Sequence, residues 1–447
     1  MPPQASLQRD LLSAYVLTGA RVASWVIITA LVFRLLGLEA FALLALLRAT
    51  VGLLNYTSLG LAAAVIQRSA QHVHQPSQTS RIYASAWVVA LAGLALGGVV
   101  LAIYLLGLPV LHRLPAQTWL PAARQLLLGL GAGVLLRLAS DAPSAMLQTR
   151  GRISLDNLMA AGAELSWPVM AAVSLSLKAE LPLVGWTFAA AGGLLLLARH
   201  GAVRILLAEP DFRWQAVDRR LAVGLLQTGV LVATAQLADF LYAPTDYILI
   251  NWLIDPAAVA VYAPAIQIDA ALLLSVGAIA AVLLPRSALA HAESDVSLLR
   301  RYYLRGTLGS LVILVLASGV TWLIAPVLLR RWLGTDLPAT RQILPLVLIH
   351  SVIGGSSAVG RSILLGMGQA KALTIAALAS GLANVLLSLV LVAAFGWGLQ
   401  GIVLGTILAV SGRCLLWMPW YVRRCLRGRI DSPAAGPTEP PIAQTIG

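Results

Sequence analysis

Runs of about twenty or more mostly apolar residues, joined by short polar connections, fill this chain almost from end to end. A run of that length and polarity is a membrane-spanning helix, so the chain reads as an all-α polytopic membrane protein. Twelve spans are expected, over 13–36, 40–66, 82–107, 121–147, 153–177, 182–206, 221–253, 256–285, 304–328, 341–366, 371–395 and 398–422. The spans over 221–253 and 256–285 are longer than a bilayer needs and should tilt or bend at their prolines. Composition agrees: 59% of residues are hydrophobic and 11% charged, against about 25% charged in soluble domains.

A formal charge of +13 would suggest nucleic acid in a soluble chain. In a membrane protein it reflects basic cytoplasmic loops, and no nucleic-acid partner is expected. One set of loops and ends holds 19 basic residues and the opposite set 7. Both termini are therefore expected in the cytoplasm, which requires an even number of spans. The basic loop 199–220 separates six spans from six. The expected organisation is a six-helix bundle over 1–206, a basic linker over 207–220, a second six-helix bundle over 221–424 and a disordered proline-rich tail over 425–447. An internal repeat is hinted at. Ala63-Ala64-Val65 with Arg68-Ser69-Ala70 resembles Ala280-Ala281-Val282 with Arg286-Ser287-Ala288, and Gly151 matches Gly368, at an offset near 217. Gly93 with Gly97, Gly129 with Gly133, and Gly401 with Gly405 have the spacing that lets membrane helices approach closely.

No enzyme signature survives inspection, and no catalytic residue, cofactor or metal site is expected. There is no Walker sequence. The GGSSAVG run at 354–360 lacks the setting of a nucleophile elbow. Asn55-Tyr56-Thr57 lies within the second span, and His72 and His74 lack a third metal ligand. Cys414 and Cys425 imply neither a disulfide framework nor a metal motif.

The informative residues are the charges inside the spans, each costing about 2.5–3.5 kcal/mol on insertion scales. Arg21, Glu164, Asp239 and Asp269 fall near the midplane, as does Arg137. Arg48 and Asp246 lie toward the outside. Arg361 and Arg413 lie toward the cytoplasm, where they can snorkel to the interface. Arg137 and Asp141 stand four apart on one helix face and are expected to pair. Arg21 and Arg48 are read as cavity residues, with structural pairing to Glu164 or another acid as the alternative. The stretch 236–285 holds Asp239, Asp246, Asp255 and Asp269 with Pro244, Pro256 and Pro264. It reads as two helices, each broken by a proline, joined at an Asp255-Pro256 turn. Arginines thus gather in the opening spans and aspartates in the seventh and eighth. The first set suits an anionic group such as a phosphate, which arginine grips with two parallel bonds. The second suits a coupling proton or sodium ion.

Asp246-Tyr247-Ile248-Leu249-Ile250 and Ala260-Val261-Tyr262-Ala263-Pro264-Ala265 resemble the seventh and eighth spans of polysaccharide flippases. So do Gly368-Gln369-Ala370-Lys371, Asn384 with the run 386–391, Gly396 through Gly401, and Gly405-Thr406. Those flippases belong to the multidrug/oligosaccharidyl-lipid/polysaccharide (MOP) exporter superfamily, whose architecture is twelve spans in two six-helix bundles. The resemblance implies export of an undecaprenyl-pyrophosphate-linked oligosaccharide across the bacterial inner membrane for O-antigen or exopolysaccharide synthesis. A polysaccharide polymerase and other assembly proteins would be its partners, besides the lipid-linked substrate and the bilayer. It places Arg21 and Arg48 where flippases of the lipid II branch engage the lipid carrier. It also points to Asp239, Asn384 and Thr406 for cation coupling, beside Asp246 and Asp269. Ser388 stands where that branch has an acid, which leaves proton coupling through Asp239 or Asp269 as strong a reading as sodium. A multidrug/cation antiporter of the same fold is the second reading. A membrane polymerase or ligase is the third, and the outside connections near 108–120 and 329–340 are short for it.

Overall fold

Helix is the only regular structure among the described residues, as a chain immersed in lipid requires. The computed structural model describes residues 4–58, 61, 64–66, 76–207, 216–227 and 240–427. Helix α1 spans Gln4–Val51 and passes into a 3-10 turn over Gly52–Ser58. Then come α2 (Pro76–Leu111), α3 (Leu120–Ala139), α4 (Asp141–Thr149), α5 (Ile153–Leu177) and α6 (Pro182–Leu207). Later in the chain are α7 (Ala243–Leu253), α8 (Ala258–Ala292), α9 (Val296–Leu333), α10 (Pro338–Ser356), α11 (Ala358–Gly366), α12 (Ala370–Ala393), α13 (Gly398–Ser411) and α14 (Met418–Leu426).

Ten stretches among the described residues are long and apolar enough to cross a membrane. The first, Gln8–Ser58, is 51 residues long and holds two of the predicted spans. They meet at Gly37, whose φ of 87° turns the chain in a region that favours glycine. Much of the predicted span 221–253 lies outside the described residues, as do Asp239, the basic loop at 208–215, His72, His74 and the tail from Gly428. Helix α7 begins beside Pro244, where a missing N–H costs nothing. The expected break at Pro264 does not occur, and α8 runs through it without interruption. Ala260, Ala263 and Ala265 around it are fully buried, and local packing makes proline tolerable inside a membrane helix. The Asp255-Pro256 turn forms as predicted, with Asp255 Oδ1 accepting the Ala257 N–H at 2.6 Å.

The repeat is written into the helix boundaries. Shifted by 217 positions, Asp141–Thr149 becomes Ala358–Gly366, and both are nine-residue helices that follow a break in a span. Each break is marked by a serine returning its hydroxyl to a backbone carbonyl: Ser140 to Arg137 at 2.7 Å and Ser357 to Gly354 at 2.6 Å. Two residues past the end of each nine-residue helix stands a glycine with positive φ, Gly151 at 72° and Gly368 at 75°. The N–H groups of Arg152 and Gln369 close the same turn, onto Leu147 and Leu364 at 2.8 Å each. Of the first predicted match, Ala63 and Arg68–Ala70 lie outside the described residues.

By internal contacts the chain forms two compact units. The first comprises Met1–Gln267, Ala325–Ile343 and Leu389–Ile402; the second comprises Ile268–Ile324, Leu344–Ser388 and Val403–Gly447. Small residues make the close contacts in the first. A Cβ on Gly129 would strike the Gly185 backbone and lie 2.6 Å from the Trp186 nitrogen. One on Gly185 would lie 2.6 Å from the Leu126 carbonyl, and one on Gly192 2.8 Å from that of Gly133. Helices α3 and α6 therefore meet backbone to backbone, the arrangement that van der Waals packing rewards when lipid removes the hydrophobic drive. Gly129→Ala is expected to lower the thermal midpoint in detergent by several degrees, since overpacking costs about 1–3 kcal/mol. Gly162→Ala, where a Cβ meets nothing within 4 Å, should leave it unchanged. Equal midpoints would show that this contact is looser than described.

Candidate functional site

A cavity of about 660 Å³ opens within the first compact unit, between α1, α3, α4, α5 and α6. Arg21, Arg48, Arg137 and Arg199 line it, with Glu164 and Asp141. Each basic group arrives for a local reason. Arg137 ends α3, where the helix dipole favours a cation. Arg48 holds the same position in the last turn of α1. Arg199 was expected in a basic loop, but α6 extends to Leu207 and keeps it buried at 9% exposure.

The four arginines differ in what holds them. Arg137 donates to Glu164 Oε1, with its guanidinium 4.4 Å from the Phe188 ring. The expected pairing of Arg137 with Asp141 does not form, because the helix breaks at Ser140 between them. Arg199 forms an ion pair with Asp156 at 2.7 Å and donates to Ser140 Oγ at 2.8 Å. Asp156 is 1% exposed and also accepts from Ser144 at 2.7 Å and Gln148 at 2.9 Å. These two arginines are closely paired with carboxylates, although Arg137 Nε and Nη2 make no hydrogen bond among the described residues.

Arg21 and Arg48 are not. Arg21 reaches Glu164 only at 3.7 Å, and its side chain is 61% exposed. Arg48 has no carboxylate in ion-pair reach among the described residues, and its Nη1 lacks a hydrogen-bond partner there. Instead its guanidinium lies against the Trp25 ring and 5.4 Å from that of Trp167. The aromatic faces hold the cation through their quadrupoles while leaving its N–H groups unspent. Trp167 is fixed in turn by donating Nε1–H to Val184 at 2.9 Å. Both residues predicted to meet substrate therefore share one cavity. Trp25, Arg137 and Arg199 carried no such signal in the sequence, and Asn55, expected to be buried in a span, is exposed on its wall.

The predicted cation-coupling residues are divided. Asp246 belongs to the first unit, is fully buried and accepts from the Tyr262 hydroxyl at 2.9 Å. Asp269, Asn384 and Thr406 belong to the second unit. There Asp269 accepts from Ser351 Oγ and lies 3.2 Å from His350 Nδ1. His350 and Ser351 went unremarked in the sequence, being more than eighty positions away. Asn384 and Ser388 are fully buried, with 3.5 Å between Asn384 Oδ1 and Ser388 Oγ. Among the described residues no group of three or more His, Cys, Asp or Glu side chains could hold a metal ion.

Fold and cavity define a multi-pass membrane protein of the MOP transporter fold, and solved structures agree. An inward-facing multidrug resistance MATE family transporter of the MOP superfamily superposes with a TM-score of 0.79 at 14% identity, covering 94% of this chain and all of that one. An outward-facing MATE transporter gives 0.62 at 15% identity, over 94% of this chain and 97% of that one. A MOP superfamily transporter from Pyrococcus furiosus, described by a reversed polarity of its binding pocket, gives 0.63 at 14% identity over 94% and 96%. The sequence pattern of the polysaccharide biosynthesis protein family matches residues 31–335, and the chain belongs to that family. No curated protein matches it in sequence.

The charge accounting predicts opposite effects of two substitutions. Glu164→Gln removes the counter-charge of Arg137 and Arg21 and should lower the thermal midpoint markedly, since breaking a buried pair costs about 3–5 kcal/mol. Arg48→Met deletes a half-buried cation that has no carboxylate in reach among the described residues and should leave the midpoint unchanged or raise it. Thermal unfolding of the two purified variants checks this, and a large loss in Arg48→Met would make Arg48 structural.

Proposed function

We propose that this protein is a flippase for undecaprenyl-pyrophosphate-linked oligosaccharides in the bacterial inner membrane, serving O-antigen or exopolysaccharide assembly by cation-coupled alternating access. The observation that carries this reading is Arg48, a half-buried arginine whose guanidinium lies against tryptophan faces, with loosely paired Arg21 beside it in one cavity. Bringing an uncompensated cation into a low-dielectric site costs free energy that an arriving pyrophosphate returns through charge-assisted hydrogen bonds. Tryptophan and leucine walls suit the lipid chain next to that headgroup. A multidrug antiporter would share the fold, but Arg48, with no carboxylate in reach among the described residues, would repel a cationic drug in its cavity. Family membership and MOP fold support the same choice.

In this reading both termini face the cytoplasm, and an assembly polymerase receives the exported unit outside. Coupling falls to the second unit, where Asp269 with His350 and Ser351 forms a proton-accepting set better than a sodium cage, which would want more oxygen ligands.

Two outcomes are expected in a strain lacking the gene. Arg21→Ala and Arg48→Ala should each restore little surface polymer while reaching wild-type levels in the membrane. Full restoration by both would remove the cavity from the mechanism. Asp269→Asn should slow export and flatten its dependence on external pH, and an unaltered pH profile would move coupling elsewhere.

A further inference from the structure

A second cavity, of about 820 Å³, lies in the same compact unit at the helix ends that carry the loop after α2 and the Asp255-Pro256 turn. Its polar lining is Glu39, His112, Arg113, Gln117 and Asp255, and the remainder is mostly proline and leucine. Its frame is fixed. Asn251, fully buried, brackets the Arg113 backbone, accepting from its N–H and donating to its carbonyl at 2.9 Å each. Trp252 donates Nε1–H to the Leu111 carbonyl at 2.6 Å.

His112 is 4% exposed. Its Nε2 lies 2.6 Å from the Tyr104 hydroxyl, which in turn bonds Thr50 Oγ1. Nδ1 is buried and has no hydrogen-bond partner among the described residues. Burial pushes the imidazole down to about 4, which keeps it neutral at physiological pH.

The cavity thus offers two carboxylates, Glu39 and Asp255, beside two donor-bearing groups, Arg113 and Gln117. A phosphate would meet both carboxylates. A hydroxyl suits this mixture, since it donates and accepts at once. We infer that this cavity is a carbohydrate subsite, taking neutral, hydroxyl-rich sugar rings apart from the arginine cavity that takes the pyrophosphate. The inference rests on the flippase reading and adds to it: the two ends of one substrate are recognised at different places in the first unit.

The test uses the purified full-length protein and two probes, followed by saturation-transfer NMR. One probe is the glycan pool released by mild acid from the host's own lipid-linked oligosaccharides; the other is inorganic pyrophosphate. Wild type should bind the glycans saturably. Glu39→Gln and Arg113→Gln should each weaken glycan binding about tenfold, the scale of one charge-assisted hydrogen bond, without changing pyrophosphate binding. Arg48→Ala should do the reverse. Absence of saturable glycan binding, or binding untouched by Glu39→Gln and Arg113→Gln, overturns the subsite. Glycan binding that depends on Arg113 in a protein that moves no lipid-linked oligosaccharide would leave the subsite standing and remove the flippase reading.

Discussion

A charge inside a bilayer must find a counter-charge, an aromatic face or water, and the front of this molecule is arranged by that requirement. Glu164 sits at the centre of the solution. It satisfies Arg137, anchors Arg21 loosely, and so brings α1, α3 and α5 to one point. Asp156 performs the same service for Arg199 from α6. Once those pairs are made, the wall of the cavity is rigid, and Arg48 can be kept without a carboxylate because Trp25 and Trp167 stabilise it. On the proposed function, Arg48 held by aromatic faces and Arg21 loosely tied keep the site prepared for an anion before the anion arrives.

The same economy explains the packing. Lipid offers helices no hydrophobic reason to associate, so α3 and α6 are joined at Gly129, Gly133, Gly185 and Gly192, where backbones touch. Close approach at that seam sets where Arg137, near the end of α3, stands relative to Phe188 and Arg199 on α6. The chain uses one plan twice. Serine-marked breaks at Ser140 and Ser357, each followed by nine helical residues and a glycine turn, recur 217 positions apart although few side chains match. Arg199 bonds the first serine and Cys414 the second, at 3.1 Å, so the halves have diverged in charge while keeping the backbone.

Much of this was legible in the chain. Span positions followed from apolar runs, and Arg21 and Arg48 stood out because arginine in such a run demands an explanation. What sequence could not supply was the partner of each charge. Arg137 and Asp141 have the spacing of a helical pair, yet the helix breaks at Ser140 between them, where Pro143 has no N–H to return to the Ala139 carbonyl. Arg199 was counted with the basic loop 199–220 although it also falls in the span 182–206, and only the fold shows it buried beside Asp156. Trp25 and Trp167 carry no signal of their own and gain meaning only when folding lays Arg48 against them. His350 reaches Asp269 across 81 positions of chain, which local spacing cannot show. The expected bend at Pro264 failed for a related reason, since alanines packed around it suit a continuous helix.

The central claim is that the arginine cavity carries a lipid-linked pyrophosphate from one face of the membrane to the other. The most direct measurement is the sidedness of undecaprenyl-linked repeat units in a strain lacking this gene, read by enzymatic labelling of glycans in intact and in permeabilised spheroplasts. The account predicts repeat units labelled only after permeabilisation, trapped on the cytoplasmic face, with surface polymer lost. Repeat units accumulating on the outer face, or polymer made normally, would contradict it.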